Sequence, residues 1–473
     1  DVTGISVSDG MSTNTSGTSN FIAGVNAGNS IQSGGNYNVA VGDEAGTAIT
    51  TGDNNVVIGY AAGAAITTGL KNIFIGSNTG DAVTTANENV AVGHFVMSNN
   101  VLGAKNTAVG TSTLSALNPA TATDMYNVAV GFQAGNAVTT GIRNTLIGSR
   151  TGDAFTDADY NVALGYNALT SDTLGSTSTA IGYSALETQN FTTATDSYNT
   201  AVGYTAGMGI TTGIRNTLIG GKTGDEVTTG EGNVAVGYES LGETTIGDDN
   251  VAIGNFALHT NVDGSRNVAV GRSALLVMEP STESNTYNTA VGYAAGTAVS
   301  TGTNNTLIGG LAGDAITTGD YNVAVGSSSL SANTTADHNS ALGADSLGKN
   351  TTGTNNVAVG SSALYNNTEG DNNTAVGRSA GAAITTGEKN SLIGEKAGDA
   401  LTTGSSNVAV GRTALSTDTL GSCSVAIGRN ALIMQNFTTA TDTFNTAVGD
   451  RAGAAVTTGI YNTLIGGLAG DAL

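Results

Sequence analysis

Residues 38–72 read NVAVGDEAGTAITTGDNNVVIGYAAGAAITTGLKN, and the second half restates the first at a distance of 17 residues. The pentapeptide Asn38-Val39-Ala40-Val41-Gly42 returns as Asn55-Val56-Val57-Ile58-Gly59, and close variants recur down the chain. With its glycine taken as slot 0, the anchors run from Gly24, Gly42 and Gly59 to Gly466. There are 26 anchors and 25 intervals, one of 18, twenty of 17 and four of 21 residues. A 17-residue unit is too short for a helical hairpin and suits one coil of a β-solenoid, two short strands joined by two turns. The V-A-V and A-I-T-T runs are strand-like, and coils stacked about 4.8 Å apart would make a rod on the order of 120 Å long. The block NVALGYNALTSDTLGSTSTAIGYSAL (161–186) returns as NVAVGRTALSTDTLGSCSVAIGRNAL (407–432), so the array grew by block duplication. The organisation expected is a lead-in at 1–19 followed by a continuous solenoid over 20–473. Longer coils fall near 111–126, 183–198, 272–287 and 429–444.

Each slot carries its own demand. The residue at slot −4 is Asn in 24 of 26 coils, including Asn38, Asn55, Asn72, Asn89 and Asn106; Ser178 and Ser424 are the exceptions. An amide both donates and accepts, so stacked copies can bond along the array as a ladder. Slot +10 is Gly in 18 coils, which reads as a turn needing positive φ. Slot +4 is Gly in fourteen coils, all with an apolar residue at +7, and Leu or Met in the other twelve, ten of them polar at +7. A large side chain at one slot thus replaces a large one at the other, as expected if both fill one narrow, close-packed lumen with no room for a substrate. Slot −2 is Ala or a larger aliphatic such as Leu146 and Leu218, and slot −1 is Val, Ile or Leu in 25 of 26 coils. Alternation sends these two to opposite strand faces. If Ala faces the lumen, the slot −1 aliphatics form an outer apolar stripe that must be buried against other chains, with closed cyclic symmetry the usual solution. The alternative places the aliphatics in a monomeric core.

The composition narrows the function classes. The chain has 473 residues, 69 Gly, 2 Pro, 1 Cys and a formal net charge of −22. Two prolines exclude collagen. The acidic balance argues against nucleic acid, and no apolar run approaches the ~20 residues of a membrane span.

At N-V-A-V-G (38–42) and N-V-A-I-G (250–254) the sequence resembles the head domain of trimeric autotransporter adhesins, the YadA-like heads, over about residues 20–473. Similar repeats occur in fibre proteins of phages and other viruses. The resemblance implies a left-handed parallel β-roll, a homotrimer with apolar strand residues toward its axis, and attachment outside the cell. The coils here are longer than that family's usual ones by a T-T-G turn.

Catalytic chemistry finds no foothold in the pattern, and no cofactor or metal is expected. His94, His259 and His338 occupy different slots in distant coils, and Cys423 replaces Thr177 of the duplicated block. The G-D-[AE] aspartates, among them Asp81, Asp314 and Asp399, recur every four or five coils, about 19–24 Å apart at the strand spacing. Thr pairs such as Thr50-Thr51 and Thr67-Thr68 raise ice binding, but runs reach three coils at most. The four 21-residue coils are the stronger lead, because insertions in solenoids map to surface loops. They carry Pro119, Tyr126, Phe191, Tyr198, Pro280, Tyr287, Phe437 and Phe444, which are the candidate contacts to a host-surface glycan or protein receptor; the aromatics could equally cover the coil edge. The reading expected is therefore a non-enzymatic extracellular attachment fibre on a cell or virion. The alternatives are a structural filament or spacer and, further off, a polysaccharide-acting solenoid enzyme or an ice-binding protein.

Overall fold

A computed structural model describes residues 15–280 and 282–472; of the lead-in at 1–19, residues 1–14 lie outside the described residues. The chain is an all-β solenoid of about 26 turns, with no helix among the described residues. It divides between Gly232 and Asn233 into two units. The first carries twelve anchor strands, from Phe21–Ala23 to Thr217–Ile219, and the second fourteen, from Val234–Val236 to Thr463–Ile465. Within each unit neighbouring strands are parallel and pair slot on slot, as Val39 with Val56, Ala40 with Val57 and Val41 with Ile58.

Most regular coils form a single strand; the four that precede the longer coils add a two-residue one, at Gly103–Ala104, Gly175–Ser176, Gly264–Ser265 and Gly421–Ser422. The A-I-T-T side, expected as a second strand, runs as turns and bends. It still bonds coil to coil: Gly46 N–H donates to Ala62 O, Ala48 N–H to Ala64 O and Thr50 N–H to Thr67 O. Extended geometry is lost because the backbone turns left-handed at fixed places. Slots +2, +4 and −5 have φ near +50° to +60° in coil after coil, at Glu44, Gly46 and Asn54, and at Ser112, Leu114 and Lys105. The anchors themselves lie farther out, at +124° for Gly42 and +147° for Gly203.

This corrects two glycine assignments. Apart from Gly34, at φ +111°, the +10 glycines are not left-handed. Their demand is close approach, since a Cβ on Gly52 would lie 2.5 Å from Gly69 O. Slot +4, read as lumen volume alone, is also a left-handed position, and its Leu and Met residues adopt that conformation too, as Met97 and Leu169 do at +50° and +53°.

The lumen stands as expected. Ala40, Ile49, Ile66, Leu114, Leu146 and Phe155 are fully buried. Phe74 at slot −2 and Phe155 at slot +7 are the bulkiest fully buried occupants, and a Cβ on Gly80 would meet the Phe74 ring at 2.5 Å. Alanine faces inward, so the aliphatics of slot −1 and the Val or Thr residues of slot −3 face outward. Ile147, Leu164 and Leu342 are 37, 45 and 50% exposed beside fully buried Leu146, Ala163 and near-fully buried Ala341. The placement with aliphatics inside is thereby overturned.

Candidate functional site

The Asn ladder forms as read. Asn55 N–H and Nδ2 donate to Asn38 Oδ1 at 3.0 and 3.1 Å, and Asn38 Nδ2 donates to Gly52 O at 2.8 Å. Asn72, Asn89 and Asn106 repeat the pattern, all buried. These amides are consumed by the fold and present nothing to a ligand.

Sequence reasoning missed a second ladder at slot −6. Asp159 Oδ1 accepts Ile142 N–H at 2.8 Å, Asp337 Oδ1 accepts Asp320 N–H at 2.8 Å, and Ser265 Oγ accepts Asp248 N–H at 2.9 Å. The signal was the recurrence of Asp, Asn or Ser two residues before the ladder Asn, each oxygen capping an N–H of the coil before it.

The two breaks in the first ladder are repaired from inside. At Ser178, Gln189 of the same coil takes the missing amide's place. Its Oε1 accepts Asn199 Nδ2 at 2.8 Å, while its Nε2 donates to Ser178 Oγ at 2.9 Å and Asp172 Oδ2 at 2.7 Å. Asp172 Oδ1 also accepts Gly175 N–H at 2.9 Å and Phe191 N–H at 3.3 Å. Burial pushes the Asp172 carboxyl above the ordinary range against the pull of these hydrogen bonds. Asp418, Gln435, Ser424 and Asn445 build the same knot in the second unit.

The four insertions share one construction. Each adds a two-residue parallel pairing with the preceding coil: Gly103–Ala104 with Thr123–Asp124, Gly175–Ser176 with Thr195–Asp196, Gly264–Ser265 with Ser284–Asn285, and Gly421–Ser422 with Thr441–Asp442. This placement divides the candidate contact residues. Phe191 and Phe437 are buried, 5 and 6% exposed, and Pro119 is buried, so these three cover the coil edge and are not free for a receptor. Pro280 is half-buried. Tyr126, Tyr198, Tyr287 and Phe444 are exposed, yet they stand in the ordinary slot −5 beside the apolar strand face, not on the insertion tips. What the insertions expose is small and mostly polar: Thr192, Thr193 and Asp196 beside Ala194 in one, Thr438, Thr439 and Asp442 beside Ala440 in its duplicate.

The remaining groups do not converge. His259 is mostly covered, its Nε2 3.3 Å from Glu239, whereas His338 stacks on Tyr321. Each of Asp81, Asp314 and Asp399 has one covered, unpaired carboxylate oxygen, and burial raises all three. Among the described residues no three His, Cys, Asp or Glu side chains are placed to hold a metal ion, and no helix is long and apolar enough to cross a membrane. The first hydroxyl of a Thr pair is typically used internally, Thr50 Oγ1 donating to Thr67 O at 3.1 Å and Thr67 Oγ1 to Thr84 O at 3.3 Å. A hollow of about 440 Å³ lies beside Arg429, Met434, Arg451 and Asp471, and Arg429 is already paired with Asp450 at 2.8 Å. No family model matches the chain, and no curated protein matches it.

Proposed function

We propose that this chain is a non-enzymatic, extracellular attachment fibre in which several parallel copies, three by resemblance to the YadA-like heads, bury their apolar strand faces together. The fibre projects from a cell or a virion and meets a host-surface glycan or protein through its polar insertions. The observation that carries the reading is the outward face of slots −3 and −1. Partly exposed Val, Ile and Leu at slot −1, flanked by Val or Thr at most slots −3, recur coil after coil, and a continuous apolar strip of that kind is what a lone soluble chain rarely leaves wet. The insertions are what a uniform rod offers for specificity, because they are the largest departures from the 17-residue repeat. A purely structural spacer is the second reading, favoured by how much of each coil's polarity is spent on its neighbours.

Two measurements test it. Light scattering should give a multiple of 46.6 kDa; a stable monomer sinks the multichain fibre. Binding to a glycan panel and to host cells should drop at least tenfold when Thr192, Thr193, Asp196, Thr438, Thr439 and Asp442 are replaced by Ala. These side chains are exposed or edge positions, so the coil stays folded. Binding that survives the replacement moves recognition elsewhere, and no binding by the parent protein favours the spacer.

A further inference from the structure

The charge of the chain is unevenly spread. It has 15 Lys and Arg against 37 Asp and Glu, yet five successive coils each place a cation just after the anchor. These are Arg378, Lys396, Arg412, Arg429 and Arg451, at slots +1 and +2, where the same coils hold two acids, Glu395 and Asp450. All five cations are exposed. Arg378 is paired with Glu395 and Arg429 with Asp450, whereas among the described residues Lys396, Arg412 and Arg451 are in no ion pair. Arg412 and Arg429 occupy the same slot of neighbouring coils. At a strand spacing of about 4.8 Å their like charges repel.

The coil does not require this ridge, as the duplicated block shows. Block 161–186 and its copy 407–432 run on in register, so that Asp225 answers to Asp471. Where the second copy has Arg412, Arg429 and Arg451, the first has Tyr166, Tyr183 and Thr205. Where the second has Ile433 and Met434, the first has Glu187 and Thr188. Both sets fold into the same coils, so coil geometry selects neither.

These exchanges meet at the hollow of about 440 Å³, lined by Arg429, Arg451, Ile433, Met434, Ala454 and Asp471, at the foot of insertion 435–444. Met434 is 57% exposed, and the one lining carboxylate, Asp471, is outnumbered by the two arginines. An apolar wall beside guanidinium groups suits a ligand with a C–H face and a carboxylate, to which a guanidinium donates two parallel N–H bonds. The ring of a uronic acid offers both. Duplex DNA, with one charge per about 1.7 Å, is repelled by a chain at −22. A uronate glycan carries at most one carboxylate per sugar, a density that a local ridge of five cations can meet.

We infer that the ridge from Arg378 to Arg451 binds an acidic glycan, with uronate carboxylates on Arg412 and Arg451 and a sugar face against Met434. The site is separate from the insertion residues named above; it rests on the attachment reading only in placing that glycan on a host surface.

Calorimetric titration of the full chain with a glucuronate-containing oligosaccharide tests it. The parent protein should bind, and the carboxyl-reduced oligosaccharide should bind about tenfold more weakly, the scale of one lost charged hydrogen bond. Arg412→Tyr with Arg451→Thr writes the residues of the first copy, so the coils fold, and should weaken binding by a similar factor. Arg272→Tyr with Arg150→Thr removes the same charge from the same slots elsewhere and should leave binding within about twofold. No binding by the parent, or equal binding of the carboxyl-reduced form, overturns the site. A polyphosphate bound as tightly as the oligosaccharide reduces it to a general anion patch and overturns the glycan assignment. A shift in light scattering for the Arg412/Arg451 variant alone places the ridge between copies instead. Host cells left unbound by a protein that binds the uronate would defeat the attachment reading and leave the site standing.

Discussion

Adding a methyl group to Gly377 would place it 2.5 Å from the carbonyl oxygen of Gly394, on a backbone held at φ +138°. Stacking and conformation forbid the side chain independently, so Gly377→Ala should cost about 3 kcal/mol or more. The expected readout is loss of amide-exchange protection in the coils around residue 377; unchanged protection would contradict the stacking geometry. Lys389 is the opposite case, a left-handed residue at +59° whose side chain is 65% exposed in a weak surface pair with Glu388. Lys389→Gly relieves strain of order 1 kcal/mol and loosens the unfolded chain by a similar amount, so protection should hold within about 1 kcal/mol. The contrast explains what could be read from the residues. An anchor that tolerates only glycine announces itself in one sequence. A left-handed slot filled by Lys, Tyr, Arg or Leu does not, because neighbouring coils impose the conformation and the residue type carries no trace of it. The +10 glycine misled for the converse reason: close approach selects glycine as strictly as φ does.

At the scale of one coil, the reciprocity of slots +4 and +7 was legible because volume is conserved in a narrow lumen, and Leu114, Ile49 and Phe155 are buried as that required. The polar +7 residues were legible as polar but not in their purpose. Asn100 closes its own turn, donating to Gly103 O and accepting Gly103 N–H, both at 2.8 Å. Asp172 accepts from Gln189 because Ser178 leaves an amide's place empty. For Phe191 and Phe437 the sequence left receptor contact and edge cover equally open, because an aromatic in an insertion fits either until its burial is seen. The repair predicts a specific epistasis. Ser178→Asn alone crowds Gln189, and Gln189→Asn alone removes one of the two acceptors of Asn199 Nδ2, leaving only Gly213 O; each should cost about 1–3 kcal/mol. The pair S178N/Q189N writes the ordinary coil and should recover most of that loss. A double-mutant cycle on exchange protection of residues 189–199 checks it, and simple additivity would refute the knot.

Over the whole molecule, the net charge of −22 and the buried carboxyls act in the same direction. Asp81, Asp172, Asp314 and Asp399 all titrate above the ordinary carboxylate range because burial disfavours their charge. The folded chain therefore holds these protons more tightly than the unfolded chain, and stability is lost as pH rises through their titration. Glu395 and Asp450, held low by Arg378 and Arg429, oppose this, but both pairs are exposed and weak. Thermal unfolding at about pH 5 should thus begin at a higher temperature than at about pH 7; a lower onset would count against the buried carboxylates. The Asn ladder has one more consequence. In every rung the later residue donates and the earlier accepts, Asn55 to Asn38, Asn72 to Asn55, Asn322 to Asn305. The stack is consequently a one-way street. An added coil can join only head to tail, and a block duplicated whole, as 161–186 was at 407–432, extends the series without reversing its arrow.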